Sequence, residues 1–187
     1  VQRIRRRLQE LGRVIGQALG RAERAEQLIA DVDARFAAAR AAHPQFEGLS
    51  ALVAEQFEPG TYFVRGSADP RTRFLTSLGF VLPDDIAALA GELDGATISA
   101  EQLGLLDRDL VVWNVGFTPE LPAALRSDPL YQRLAVAGEG RDVFLVDKVL
   151  SGALTWSTVL SLPLAIDRLV PMLAAAADGD PSTEVPA

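Results

Sequence analysis

Leu110-Val-Val-Trp-Asn-Val115 decides how the rest of the chain is read. It is a short, almost wholly apolar run, rich in valine, bounded by Asp107-Arg-Asp109 and Gly116. That pattern describes a strand buried on both faces, which needs helices above and below it. Upstream, Leu49–Phe57 and Thr61–Arg65 read as strands around the turn Glu58-Pro59-Gly60, and downstream Asp142–Asp147 reads as another. Helix signals fall between them. Asp69-Pro70 supplies an N-cap and a first-turn proline, Phe74, Leu75 and Leu78 follow, and Gly79 stops the helix. Pro83–Leu93 reads as a short helix or turn. Ser99-Ala-Glu-Gln102 has the form of a capping box ahead of Leu103, Leu105 and Leu106. Thr118-Pro119 and Asp128-Pro129 are further helix starts, Ser151–Thr158 is a small-residue loop, and Ser161–Ala176 is a final helix. Residues 177–187 read as a frayed, flexible tail. Strands alternating with helices define an α/β class, a Rossmann-like open layered sheet flanked by helices.

Two helices stand outside that alternation. In the first, Ile4, Leu8, Leu11, Ile15, Ala18 and Leu19 form one stripe. Gly12, Gly16 and Gly20 recur every fourth residue, a spacing that suits close packing on another element, with Gly20 ending the helix. Residues 1–24 carry seven Arg against two Glu, so the acidic surplus lies in the rest of the chain. The Arg cluster reads as a solvated face, with a polyanion patch as the alternative. The second helix, about residues 22–42, has the stripe Ala25, Leu28, Ile29, Val32, Phe36 and Ala39. At about 1.5 Å per residue it is long enough to bridge two lobes. His43-Pro44 ends it, and His43 reads as a cation at the helix carboxyl end.

Composition removes whole classes of function. The chain has 187 residues, no cysteine and one histidine. A disulfide framework, a thiol nucleophile, an iron–sulfur centre and a standard zinc site are therefore unavailable, and a histidine-based triad would depend on His43 alone. The net charge of −7 disfavours nucleic acid as a partner. No run of eighteen apolar residues spans a membrane. Val1 falls inside a helical pattern, so the chain reads as a fragment, and cysteine-free composition fits an extracytoplasmic location. Gly138-Glu-Gly140 is not a phosphate loop, and no nucleophile elbow or calcium loop occurs. Asp84-Asp85, Asp107/Asp109 and Asp31/Asp33 suit caps and solvated faces better than acid–base pairs. The sequence therefore argues against an enzyme, and a small α/β enzyme remains only as a rival.

Aromatic residues are scarce, so their placement carries information. Trp113 sits towards the carboxyl end of the buried run, and ligands in open α/β sheets bind outside the carboxyl ends of strands. Trp156 lies between the last strand and the last helix, and Tyr62 and Arg65 flank the second strand. Arg71 and Arg73 stand just beyond. Together they would suit a flat or anionic ligand of moderate size. For each tryptophan a core role is the competing reading, and for Arg71 and Arg73 it is plain helix-surface charge.

Five segments in order carry a resemblance: Arg73-Phe-Leu-Thr-Ser-Leu-Gly-Phe80; Ile98-Ser-Ala-Glu-Gln-Leu-Gly-Leu-Leu-Asp-Arg-Asp-Leu-Val-Val112; Asp128-Pro-Leu-Tyr-Gln-Arg-Leu-Ala135; Arg141-Asp-Val-Phe-Leu-Val-Asp147; and Ser161-Leu-Pro-Leu-Ala-Ile-Asp-Arg-Leu169. The chain resembles the carboxyl-terminal lobe of a periplasmic siderophore-binding protein, the iron-chelate and cobalamin class of ABC-transporter substrate-binding proteins. The resemblance implies that residues 1–20 are the last helix of the amino-terminal lobe, 22–43 the interdomain helix, 45–176 the carboxyl-terminal ligand-binding lobe and 177–187 a tail. It implies capture of a ferric siderophore, with the iron held by the chelator, and delivery to a membrane ABC permease dimer for iron uptake. Haem, cobalamin, or a role as an interaction or sensor module are the alternatives.

By that resemblance the intact two-lobe protein is monomeric and extracytoplasmic, in the periplasm or at the cell surface, and anchored by a lipid upstream of Val1. Trp113, Trp156 and Tyr62 would give flat surface to the chelate, while Arg65, Arg71 and Arg73 would offset its negative charge. Glu101 matches the position that carries the permease-docking glutamate of this lobe. An exposed carboxylate in a first helical turn can meet an arginine bidentately. Both tryptophans looking into a cleft is the expectation on which this reading depends.

Overall fold

The computed structural model describes residues 2–186, with side chains from Gln9 onward. Ile4 and Leu8 of the first stripe, and Arg3, Arg5, Arg6 and Arg7 of the basic cluster, lie outside the described side chains. In chain order the helices are α1 (Gln2–Ala18), α2 (Ala22–Ala42), α3 (Pro70–Leu78), α4 (Asp84–Ala90), α5 (Leu121–Ser127), α6 (Ala135–Gly138), α7 (Lys148–Trp156) and α8 (Leu162–Ala176). The strands are β1 (Ala51–Glu58), β2 (Thr61–Arg65), β3 (Gly95–Ser99), β4 (Leu110–Asn114) and β5 (Asp142–Leu145). They form one sheet of order β3-β2-β1-β4-β5. β1, β4 and β5 run parallel, while β2 is antiparallel to both β1 and β3.

Side-chain alternation splits the core into two layers. Ala51 and Val53 of β1, Leu110 and Val112 of β4, and Val143 and Leu145 of β5 face α2, α3, α7 and α8. Leu52, Ala54, Tyr62, Val111, Trp113 and Phe144 face the opposite layer, built from α4, α5, α6 and 3-10 turns at Ala100–Leu106 and Tyr131–Arg133. The α/β class and the flanked open sheet are as the sequence implies. β3 is an addition: Gly95-Ala-Thr-Ile-Ser99 holds one large apolar residue and gives little strand signal. Its first residue must be small, because a Cβ on Gly95 would stand 2.3 Å from the Phe63 ring.

Local signals explain most element ends. Asp69 accepts from the Arg71 N–H at 2.8 Å and caps α3, and Gly79 at φ +115° ends it. Asp147 caps α7 by accepting from Val149 (2.7 Å) and Leu150 (2.8 Å). Ser151–Thr158 is therefore mostly helix rather than loop: its small residues let α7 lie close to the strand ends. A Cβ on Gly116, just past β4, would stand 2.5 Å from the Ser151 Cβ. At Ser99 the return half of the capping box forms, its N–H donating to Gln102 Oε1 at 3.2 Å. His43 caps α2 and its ring stacks on Phe46, centroids 5.0 Å apart.

α1 folds back along α2 as an antiparallel hairpin. Gly20 takes φ +64° in the connecting turn, and a Cβ on Gly16 would stand 2.4 Å from the Ala25 Cβ. Gln9 bonds Asp33 at 2.9 Å and Arg13 pairs with Glu26 at 2.7 Å. The glycine face makes the contact, and Leu11, Val14, Ile15 and Leu19 are left exposed. Residues 177–186 do not trail away. Val185 packs on the first core layer, and Pro181 lies so close to Gly140 that a Cβ there would stand 2.9 Å from the Pro181 Cα.

Candidate functional site

β1 outruns its parallel neighbours. Glu55 lies one residue past the last β1–β4 pair, Ala54 with Trp113, and its side chain projects on the α3 and α7 side, as does that of Asn114. A hydrogen-bonded chain crosses this carboxyl rim. Asn114 Nδ2 donates to Glu55 Oε1 at 3.1 Å and to Thr155 Oγ1 at 3.0 Å, while its Oδ1 accepts from Ser151 Oγ at 2.6 Å. Glu55 accepts from Arg71 Nη1 at 2.8 Å and from Arg65 Nη2. Asp69, the α3 cap, takes Arg71 Nε and Nη2 in a fork, each at 2.8 Å. Arg65 Nη1 is 3.4 Å from Asp94 and 3.5 Å from Asp69. Burial works against the Arg71 charge. The Asp69 hydrogen bond, with the charges of Asp69, Glu55 and Asp94, outweighs it and holds the guanidinium pKa above its ordinary value.

Apolar surface flanks this polar chain. Phe63 lies under Arg65, whose guanidinium carbon is 4.5 Å from the ring centroid, and Phe57 is 6.3 Å from Phe63. Phe57, Phe117 in the loop after β4, and Trp156 at the end of α7 are 70, 76 and 74% exposed. Trp156 lines a shallow apolar depression with Val149, Leu160 and Leu164. Large exposed aromatics gathered at one end of a sheet are what a ligand or partner surface looks like.

The sequence-derived site residues divide. Trp156 stands on the rim. Arg65 and Arg71 meet there through Glu55, but both are buried and matched by carboxylates, so they do not present free positive charge to an anionic ligand. Trp113 and Tyr62 belong to the other core layer. Trp113 has no exposed surface, its Nε1–H donates to Tyr131 Oη at 2.8 Å, and Tyr62 packs edge-on to it at 6.0 Å. Strand parity sends these rings away from the rim. Tyr131 donates in turn to Asp142 at 2.9 Å. Burial raises the pKa of both Tyr131 and Asp142.

Arg73 donates to the Ala68 carbonyl and lines a cavity of about 60 Å³ between α1, α2, α3 and the α7–α8 connection, where Ser157 and Val159 also line it. Glu101 is exposed in the turn after β3. Ser99 Oγ donates to it at 2.5 Å and lowers its pKa. The residues that sequence reasoning missed are Glu55, Phe57, Phe63, Asn114 and Phe117. Their position at strand ends was the available signal. Among the described residues no group of acidic and histidine side chains could hold a metal, and no helix is long and apolar enough to cross a membrane.

Residues 3–150 match the family described as Periplasmic binding protein, and the chain belongs to that family. Its members bind substrates rather than transform them, and membership implies an extracytoplasmic location. The fold is shared with a periplasmic solute binding protein from Mycobacterium smegmatis (28% identity, TM-score 0.76), covering 91% of this chain and 56% of that one. It is shared with Streptococcus pneumoniae PiaA in complex with ferrichrome (22%, TM-score 0.76), covering 92% and 59%. It is shared also with Staphylococcus aureus FhuD2 with bound ferrioxamine B (15%, TM-score 0.75), covering 91% and 65%. The chain thus spans less than two thirds of the length of these structures. No curated protein matches it.

Proposed function

We propose that this chain forms one wall of a two-lobed receptor that captures a ferric siderophore outside the cytoplasm and delivers it to an ABC permease. The observation that carries the reading is the set of exposed aromatics at the carboxyl ends of the parallel strands, Phe57, Phe117 and Trp156. PiaA is seen in complex with ferrichrome and FhuD2 with ferrioxamine B, which supports the ligand class. In this reading residues 1–20 close the first lobe, and the exposed Leu11, Val14, Ile15 and Leu19 are the surface that lobe would cover. Residues 22–43 connect the lobes, 45–176 form the second lobe, and a lipid anchor lies upstream. Glu101 is the docking carboxylate for the permease. Iron stays with its chelator, since the rim offers no ligand set for it.

The test is Trp156→Ala in the gene product that carries this chain. Binding is followed by retention of the coloured ferric complex in ultrafiltration. Loss of about 1–3 kcal/mol in affinity is expected for an anchor residue. An unchanged affinity would remove Trp156 from the site, and retention of none of ferrichrome, ferrioxamine B or a ferric catecholate would end the ligand assignment.

A further inference from the structure

The rim has already spent its positive charge. Arg65 and Arg71 face three carboxylates, Glu55, Asp69 and Asp94, so the cluster carries a surplus of negative charge. Side chains of Glu55, Arg65, Asp69 and Arg71 are each nine-tenths or more buried, while that of Asp94 is mostly exposed. Among the Arg65 nitrogens, Nη1 and Nη2 go to carboxylates and Phe63 covers one face of the guanidinium. Arg65 Nε is buried without a partner. Glu58 at the end of β1 and Glu120 beyond Phe117 add exposed negative charge, against Lys148 at the start of α7.

From this charge count we infer that the rim selects chelates of zero or positive net charge and rejects polyanionic ones, with Glu55 as the residue that sets the preference. The inference rests on the chelate-receptor reading above. To clamp an anionic ligand, Arg65 or Arg71 would have to give up its contact to Glu55, and taking one cationic partner from a buried carboxylate is unfavourable. Like charge across a dry contact adds to that cost. What the rim offers without rearrangement is aromatic area from Phe57, Phe117 and Trp156. A bidentate anion needs a free guanidinium fork, and both guanidinium groups are already engaged by carboxylates. Three hydroxamates cancel the charge of ferric iron, so a ferric tris-hydroxamate is neutral at its centre. Three catecholates leave a trianion. The geometry therefore favours the first class.

The experiment compares ferrioxamine B with a ferric tris-catecholate, using quenching of Trp156 fluorescence and ultrafiltration, at low and high salt. The wild-type chain is expected to bind the tris-hydroxamate at least tenfold more tightly. The gap should narrow as salt screens the repulsion. Glu55→Gln should shift the ratio of the two affinities at least tenfold towards the tris-catecholate. Asp94→Asn, at an exposed position that folding tolerates, should shift it several-fold the same way, and it decides the matter if Glu55→Gln does not fold. Equal or tighter binding of the tris-catecholate by the wild type, or a ratio that neither variant moves, would overturn the charge preference and leave the receptor reading standing. Retention of neither chelate would overturn the receptor reading and this inference with it.

Discussion

Replacing Tyr131 by Phe isolates what a single oxygen contributes to the second core layer. Tyr131 is fully buried, and its hydroxyl bridges Trp113 Nε1, 2.8 Å away, and Asp142 Oδ2, 2.9 Å away. The substitution leaves ring packing intact, including the edge contact to Trp113 at 5.8 Å, so cavity formation contributes little. What remains is an indole N–H that has no exposed surface and therefore no route to water. Leaving such a donor unsatisfied costs about 1–3 kcal/mol. For a chain of this size that corresponds to a fall in Tm of about 2–4 °C per kcal/mol. Urea unfolding followed by Trp113 fluorescence in a Trp156→Phe background measures it.

The Tyr131 bond also favours the charged form of Asp142, against the burial that raises its pKa. The deficit of Tyr131→Phe should accordingly narrow as pH falls through the Asp142 titration. A loss below about 0.5 kcal/mol, the range of an ordinary surface change, would refute the placement of Trp113 as a hydrogen-bonded core residue.

Gly16→Ala should force α1 off α2, because its new methyl would overlap the Ala25 Cβ. A loss of about 1–3 kcal/mol with early loss of hydrogen-exchange protection in α1 is expected, and unchanged protection would count against the close contact. Asp109 is held below the usual carboxylate range chiefly by the Ser50 hydroxyl, and Asp147 by the Leu150 N–H and then Arg168. A folded-state pKa below the unfolded one means stability present above the unfolded pKa and lost as pH falls through the folded one. Asp109→Asn and Asp147→Asn should each flatten the acid limb of the stability profile, and profiles parallel to wild type would contradict the shifts. Glu101→Ala should leave chelate retention intact and slow cellular uptake of the chelate; normal uptake would take the docking role from Glu101.

Long, strongly patterned features were legible in the sequence. The double-faced run at Leu110 gave the sheet, and the Asp69-Pro70 and Gly79 signals framed α3 to within a residue. Side-chain facing was not legible at Trp113. A strand apolar on both sides hides its parity, and the polar residue that marks the rim is the next one, Asn114. Neither was the state of the arginines, since their partners Glu55 and Asp94 lie 10 and 29 residues from Arg65 and meet it only through the β1–β2–β3 pairing. α7 was concealed by its own composition. Its glycine, serine and alanine read as loop, although the Asp147 cap and the Leu150 and Leu154 spacing were there to be used.

The carboxyl-terminal segment has a bearing on life in solution. β5 is an outermost strand, and a cavity of about 400 Å³ beside it is lined in part by Pro181, Thr183 and Val185 of the carboxyl-terminal segment. Unpaired backbone along such a border is the usual template on which other chains add themselves. Pro181, Thr183 and Val185 stand beside that border, so a strand adding there meets the carboxyl-terminal segment first.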